Sequence, residues 1–402
     1  MKTTSASSRL QIPLLALVLT LLGACSTIEQ PVVQDTSRLL SGEVFEAVDD
    51  GAGTSMITTG EILQLDDAMK AWVANKIKGA PSAESRLRRL VSGLLEDGLL
   101  NLQYNENVTY NARDTFYRRK GNCMSFSNLF VGLAREAGLN AKFQLVDVPP
   151  SFSEGNELII LNKHINVVIQ KVRADYRFVS DHIVDFNMAE YDGDYDLQPV
   201  SDQHAFALYY SNLGVELLRQ DKYFEAFVAF RYAIELDRSI PSLWVNLGAL
   251  YSRMGHSELA LEAYHQALAE SPSSNSALVN LARLNSELGN AAEAARYEKL
   301  TDYYVRQNPY YFYEQARLAY NAEQYRDAIE LLKKSIRLRR DEHQFYYLRA
   351  ISYLALNNVE AARKNLRLAE QNSNRPFQTK RYQQKLGLLD KANSTHPEGD
   401  GP

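Results

Sequence analysis

The sequence predicts a protein in two parts, an α+β domain followed by an all-α array of helical repeats. The array is indicated by five alanines that recur at one constant interval: Ala226, Ala260, Ala294, Ala328 and Ala362. A fixed period of about 34 residues is typical of stacked helix pairs. The α+β domain is indicated by a one-faced helical pattern after Cys123 and by a run of strand composition from His164.

Two further repeat positions agree with the alanines. Counted from the first residue of each unit, position 8 is always small: Gly214, Gly248, Ala282, Ala316 and Ala350. Position 4 is always large: Tyr210, Trp244, Leu278, Phe312 and Tyr346. Small residues let the two helices of a unit approach closely, and each unit buries its apolar faces against its neighbours. The third unit departs from the pattern, because Glu298 stands where the other units are apolar.

The second unit resembles the tetratricopeptide repeat through Trp244, Leu247, Gly248, Tyr251, Ala260, Tyr264, Ala267 and Pro272. The resemblance covers residues 207–376 as five units. It implies a right-handed superhelix whose concave face binds a protein or peptide partner. The alternative is an array that only spaces or dimerises the first domain. A group of tyrosines near the third-to-fourth junction is expected to be core: Tyr303, Tyr304, Tyr310, Tyr311 and Tyr313.

The beginning of the chain has the composition of an export signal. Two basic residues precede an apolar run that is too short to cross a membrane. The run ends in Leu22-Gly23-Ala24-Cys25, which resembles the bacterial lipoprotein box. The resemblance implies a signal peptide over residues 1–24, lipidation of Cys25 and a tether over residues 25–37. The alternative is an ordinary secretory signal with a chance cysteine.

The lipoprotein resemblance also predicts a location. Ser26 follows the cysteine, which resembles the outer-membrane sorting pattern. The expected location is therefore the bacterial cell envelope, with a lipid anchor in the membrane, in the outer membrane and facing the periplasm. At the other end of the chain, residues 377–402 are expected to finish the last helix and to continue as a disordered tail.

Composition excludes some classes of function. The chain has 44 Lys and Arg against 49 Asp and Glu, a net charge of −5. This gives no reason to expect nucleic-acid binding, which needs clustered positive charge. The sequence has no Gly-rich phosphate loop and no zinc-spaced His and Cys cluster, so we expect no cofactor and no metal. If Cys25 carries lipid, Cys123 has no partner for an intramolecular disulfide.

The α+β domain, residues 38–200, holds the candidate chemistry. The apolar pattern after Cys123 predicts a helix that ends near Gly138, so Cys123 lies at its first turn. The helix dipole and the free backbone N–H groups favour a thiolate there. His164 lies in a predicted strand, and Asp185 follows the next apolar run; Asp181 is a second candidate for the acid.

These elements resemble the transglutaminase-like branch of the papain-type thiol fold. The cysteine element is Gly121-Asn122-Cys123 with a helix that continues to Ala134-Arg135, the histidine element is His164-Ile165-Asn166, and the acid element is Ile183-Val184-Asp185. The resemblance implies a Cys123-His164-Asp185 triad that transfers an acyl group from an amide to water or to an amine. The tryptophan that often follows the histidine in this family is missing. The alternative is a non-catalytic scaffold protein with a degenerate thiol domain.

Overall fold

The computed structural model describes residues 35–45, 56–98, 103–147, 151–152, 159–160, 163–170, 182–184, 196–373 and 376–394. Within these residues the first domain contains six α-helices: α1 (Ser37–Ser41), α2 (Thr59–Ile62), α3 (Asp67–Lys76), α4 (Ala83–Glu96), α5 (Ala112–Arg118) and α6 (Cys123–Glu136). A short 3-10 helix, Glu43–Phe45, follows α1. The Asp66 carboxylate caps α3, because it accepts a hydrogen bond from the Met69 N–H at 2.9 Å.

The described part of the first domain also contains short strands: β1 (Gln103–Tyr104), β2 (Lys120–Gly121), β3 (Ala141–Asp147), β4 (Ser151–Phe152), β5 (Ile159–Ile160), β6 (Lys163–Ile169), β7 (His182–Val184) and β8 (Asp196–Pro199). Four of them form an antiparallel sheet in the order β7-β6-β3-β8. The predicted strand at His164 is confirmed as β6. Strands β3 and β8 were not expected from the sequence.

Helix α6 packs against this sheet. The Ser127 hydroxyl donates to the backbone carbonyl of Ile165 in β6 at 3.3 Å, and the Arg135 guanidinium donates to the carbonyl of Ala141 in β3 at 3.0 Å. The helix ends as predicted, because Gly138 adopts a left-handed φ of 70° two residues after Glu136. The predicted cysteine helix is therefore confirmed from its first residue to its last turn.

The array is built from five helix pairs and a final helix: α7 (Asp202–Arg219), α8 (Tyr223–Leu236), α9 (Pro241–Arg253), α10 (Ser257–Glu270), α11 (Asn275–Glu287), α12 (Ala291–Val305), α13 (Pro309–Asn321), α14 (Tyr325–Leu338), α15 (His343–Ala355), α16 (Val359–Asn372) and α17 (Pro376–Ser394). From α9 onward the first helices of the pairs begin at the same constant interval as the alanines, and from α8 onward so do the second helices. The predicted repeat register is confirmed.

The small repeat positions lie where two helices nearly touch. A Cβ atom on Gly214 would lie 2.5 Å from the Phe230 ring, and one on Gly248 would lie 2.6 Å from the Tyr264 ring. Real Cβ atoms do not approach other atoms this closely, so each glycine is required by the ring that packs over it. Ala260, the small residue of the facing helix α10, is fully buried.

A single apolar core joins the first domain to the first three helix pairs, from Leu39 to Tyr297. At the junction, the Phe143 ring of β3 meets the Phe206 ring of α7 edge-on, with the ring centroids 6.2 Å apart. The fourth and fifth pairs have smaller, separate cores. The interruption falls beside α12, where the exceptional Glu298 is exposed to solvent. The first three helix pairs therefore share one core with the first domain.

The tyrosine group beside this interruption is only partly core. Tyr304 packs against the large core, and Tyr310 and Tyr313 pack against the core of the fourth pair. Tyr303 is 57% exposed, so the expectation that it is core is wrong. The physical reason is that the apolar core does not continue past this side of α12.

The beginning of the described chain is also fixed to the array. The Arg38 guanidinium in α1 lies 3.0 Å from the Glu258 carboxylate and 2.7 Å from that of Glu262, both in α10. The buried Tyr251 hydroxyl of α9 donates to the carbonyl of Leu39 at 2.6 Å. Within the described ranges, no helix combines the length and the apolar character needed to cross a membrane.

Candidate functional site

Cys123 is the one partly exposed residue in the stretch from Gly121 to Ala134, in which every other residue is buried. Its thiol is free, and it forms the first residue of α6. A cysteine that serves only in packing is usually buried like its neighbours. Here the buried part of the helix reaches accessible space at its cysteine, where the helix start supplies unpaired backbone N–H groups.

The turn before Cys123 is held by a set of local hydrogen bonds. The Asn122 side chain caps α6, accepting from the Ser125 N–H at 3.0 Å and donating to the Thr109 hydroxyl at 2.8 Å. The Ser125 hydroxyl in turn accepts from the Tyr110 N–H at 2.8 Å. Gly121 is required here, because its φ is 153° and a Cβ atom would lie 2.5 Å from the Ser125 side chain. The position of Cys123 is therefore fixed by the residues around it.

Cys123 opens onto a cavity of about 360 Å³ that the two halves of the protein form together. The first domain contributes Leu145 and Ile165 of the sheet, next to the start of α6. The array contributes Asn212 of α7 and Asn246 of α9, together with several serines. The contribution of the array to the cavity was not predicted from the sequence. The sequence does show that these two asparagines occupy the same position in successive repeat units, which could have indicated a shared polar surface.

His164 lies at the start of β6, beside the cavity. It is 4% exposed, and it pairs with Val146 of β3. Its neighbour Ile165 lines the cavity with Cys123, and His164 is not among the lining residues. Neighbouring strand residues point to opposite faces of a sheet, so His164 points away from the face on which Ile165 lines the cavity. An intact Cys123–His164 pair therefore needs the imidazole to reach the thiol from a side that does not face the cavity. The dependence of the thiol chemistry on His164 is therefore the decisive property of this site.

The remaining predicted site residues lie outside the described residues. Asp185 directly follows β7, which pairs with β6 with Val184 opposite Val167. Asp181 precedes the same strand, and Cys25 precedes Asp35, where the described chain begins. The roles of Asp185, Asp181 and Cys25 stay predictions.

A half-buried carboxyl group from the array lies behind the cysteine turn. Glu216 of α7 forms hydrogen bonds with Thr109. The Thr109 hydroxyl also accepts a hydrogen bond from the Asn122 amide. Burial raises the pKa of Glu216, and its hydrogen bonds with Thr109 together with the charge of Arg219 oppose this rise only in part. Its Oε1 atom is buried with no hydrogen-bond partner among the described residues.

Glu216→Gln is expected to stabilise the protein increasingly as the pH rises. A carboxyl whose pKa is raised on folding favours the folded state while it is protonated and loses that contribution as it ionises. The difference in free energy of unfolding between the variant and wild type should therefore be small below pH 4.5, the ordinary pKa of a glutamate. It should grow as the pH rises through the raised pKa of Glu216. Thermal unfolding across this pH range measures it. The exposed Glu298→Gln is the matched control; equal pH profiles for the two variants would contradict the assignment.

In the part of the chain that the structure describes, no group of His, Cys, Asp and Glu side chains could hold a metal ion. The chemistry considered for Cys123 needs none, because thiol-based acyl transfer uses only the nucleophile, a base and hydrogen-bond donors.

The two halves of the chain match two different protein families. Residues 70–180 match the family described as the transglutaminase-like superfamily. Residues 245–310 and 313–376 match the tetratricopeptide repeat. None of the curated proteins is significantly similar to this chain. The protein is thus a transglutaminase-like region of mixed helix and strand followed by an all-helical tetratricopeptide-repeat array.

Solved structures are similar to part of this chain. PilF of Pseudomonas aeruginosa is 20% identical, with 48% of this chain and 89% of that chain covered at a TM-score of 0.25. The MamA protein is 16% identical, with 42% and 91% covered at 0.23. YrrB, described as a TPR protein with an unusual peptide-binding site, is 16% identical, with 44% and 92% covered at 0.23. At these TM-scores the likeness carries no conclusion about the function of this chain.

Proposed function

We propose that the protein is a cysteine-dependent acyl-transfer enzyme whose repeat array binds the protein or peptide that reacts. The observation that carries this proposal is that Cys123 alone is partly exposed in the stretch from Gly121 to Ala134, at a cavity between the two halves. The transglutaminase-like match over residues 70–180 supports the same chemistry. A thiol at a helix start, accessible from a cavity, has the surroundings that activated cysteines use.

The proposed reaction has two steps. The Cys123 sulfur attacks an amide carbonyl carbon, so that a C–S bond forms and the C–N bond breaks, and the thiol proton passes through His164 to the leaving amine. Water or a second amine then attacks the thioester and gives up a proton through His164 to the sulfur. Water yields a carboxylic acid, and an amine yields a new amide. Asp185 is proposed to orient the imidazole, and the Cys123 backbone N–H to bind the oxyanion.

The experiment that tests this proposal measures the alkylation rate of Cys123 with iodoacetamide in wild type and in His164→Ala.

The second candidate function is a binding-only scaffold, in which the thiol region and the array both only dock a partner. The observation that favours it is that Ile165, rather than His164, lines the cavity with Cys123. An alkylation rate that is indifferent to His164 would select this second function.

We further propose that the protein is anchored in the outer membrane of a bacterial envelope through lipid on Cys25, facing the periplasm. The residues that support this are the apolar run and Leu22-Gly23-Ala24-Cys25. Cys25→Ser is expected to block processing, because the thiol is the group that receives the lipid. Labelling cells with a radioactive or alkyne fatty acid measures it. Label retained on the variant, or membrane association of a correctly cleaved variant, would contradict the anchor.

A further inference from the structure

Positive charge is concentrated at the end of the array. Residues 309–394, which span the last two helix pairs and α17, carry 16 Lys and Arg against 9 Asp and Glu. The rest of the chain carries 28 against 40, so the net charge of −5 for the whole chain hides a strongly positive part. The change of sign falls beside α12, where the apolar core is interrupted. A charge asymmetry of this kind indicates a surface that meets an anionic partner.

The excess lies on the outward faces of α14 and α16. On each helix the buried residues recur at helical spacing along the side that packs into the array. The cations lie on the other side of each helix and are exposed to solvent. We call this surface the basic face; its residues are Arg326, Lys333, Lys334 and Arg337 of α14, and Lys364 and Arg367 of α16.

The acids on these two helices leave most of the basic face uncompensated. The Glu330 carboxylate lies 2.6 Å from the Lys333 ammonium, and Glu360 pairs with Arg363, which is not part of the basic face. Of the exposed acids on the two helices, only Asp327 remains. Among the residues that the structure describes, five cations of the basic face form no ion pair: Arg326, Lys334, Arg337, Lys364 and Arg367. Exposed charge at this density favours a partner of the opposite sign.

The equivalent face of α10 shows that these repeat positions bind opposite charge. Glu258 of α10 has the repeat position of Arg326, and Glu262 has that of Lys364. The Arg38 guanidinium of α1 pairs with both carboxylates, at 3.0 Å and 2.7 Å. On α14 and α16 the sign is reversed and the cations are exposed. The partner expected there is therefore anionic.

The basic face lacks the aromatic contact through which the beginning of the chain packs on the array. Phe45, which follows α1, is 1% exposed, and its ring centroid lies 4.9 Å from that of Phe227 in α8. The repeat position of Phe227 is taken by the buried Ile329 in α14 and by Arg363 in α16. A protein segment that docked here would find no aromatic side chain at this position. An extended layer of anionic headgroups needs none, because clustered Lys and Arg bind it through charge.

The proposed lipid anchor brings such a layer within reach. Asp35, where the described chain begins, is ten residues after Cys25, and a stretch of that length spans at most about 36 Å. Helix α1 then pairs with α10, which is the second helix of its pair, as α14 and α16 are of theirs. Lipid on Cys25 would therefore keep the array beside the membrane.

We propose that the basic face binds the anionic headgroups of a membrane and so holds the last two helix pairs against the bilayer. This inference rests on the proposed membrane anchor, to which it adds a second, electrostatic contact. It also assigns a partner to the part of the array that shares no core with the thiol domain.

The test uses the mature chain from residue 25 with Cys25→Ser, so that no lipid is attached, and vesicles of phosphatidylglycerol or of phosphatidylcholine. Binding is measured by co-sedimentation at low salt. The chain should bind the phosphatidylglycerol vesicles at least about tenfold more tightly, and added salt should weaken this binding. Arg337→Gln, Lys364→Gln and Arg367→Gln should each lower the affinity about fivefold, and all three together about 100-fold. Circular dichroism checks that the triple variant folds as wild type does.

The matched control combines Lys70→Gln, Lys78→Gln and Lys142→Gln. These remove the same charge from exposed lysines of the first domain that form no ion pair within the described ranges. The control should bind phosphatidylglycerol vesicles as wild type does. Equal affinity for the two kinds of vesicle, or equal affinities of the two triple variants, would overturn the inference, because binding would then not depend on the basic face.

A second copy of the chain is another anionic partner, since the residues outside 309–394 are net negative. Sedimentation velocity without vesicles tests it. Self-association at low salt that is lost in the triple variant of the basic face would assign the face to a second copy and overturn membrane binding.

Fatty-acid labelling of Cys25 tests the anchor separately. Labelled Cys25 in a protein whose lipid-free form does not prefer phosphatidylglycerol would reject the basic face as a membrane contact and keep the anchor. A preference for phosphatidylglycerol without labelling of Cys25 would reject the anchor and keep headgroup binding.

Discussion

Ala260→Trp is expected to lower the free energy of unfolding by about 3 kcal/mol, at the upper end of the usual cost of overpacking. Ala260 is fully buried in α10, in the repeat where Gly248 leaves no space for a Cβ atom against Tyr264. An indole at Ala260 must push α9 and α10 apart. Because one apolar core continues from this repeat into the first domain, the damage should reach the cysteine helix as well.

Chemical denaturation followed by circular dichroism measures this effect. Ala292→Trp is the matched control, since Ala292 is an exposed residue of α12, and surface substitutions usually change stability by less than about 0.5 kcal/mol. Labelling of Cys123 by iodoacetamide under native conditions should also change in Ala260→Trp. An unaltered unfolding curve in Ala260→Trp would mean that the two helices do not pack through this residue.

The array was predictable because its information is periodic. The same interval separates Ala226, Ala260 and Ala294, and it fixes the order and the register of the helices before any coordinate is known. The departure at Glu298 marked the repeat at which the core is interrupted. The exposure of Tyr303 was not predictable, since it depends on whether the next repeat covers α12.

The candidate site was predictable only in its local part. The apolar spacing after Cys123 gives the helix and places the cysteine at its first turn. Strand β3 does alternate apolar and polar residues from Ala141 to Leu145, a signal that was missed, and β8 has only four residues. The wall formed by Asn212 and Asn246 depends on how the array packs against the sheet. No local pattern carries that information.

His164→Ala is expected to slow the alkylation of Cys123 by at least about tenfold, less than the roughly 10²–10⁴-fold that a positioned acid–base group contributes to a complete reaction. The thiolate, and not the thiol, reacts with iodoacetamide, and an imidazole beside the sulfur stabilises the thiolate. His164 is buried at the start of β6, next to the residue that lines the cavity with Cys123. Asp185→Ala should slow the reaction less, because it acts through the imidazole, and Asp181→Ala should do little.

The measurement that tests the central claim most directly is the second-order rate constant for iodoacetamide at Cys123 in the native full chain, read by mass spectrometry near neutral pH. Wild type should react faster than an ordinary buried thiol, and the rate constant of His164→Ala should be at least about tenfold lower than that of wild type. His265→Ala, which removes a histidine held by Tyr297 in the array, should react as wild type does. Slow alkylation that is the same in wild type and His164→Ala would contradict the account and leave Cys123 as a packing residue of a binding protein.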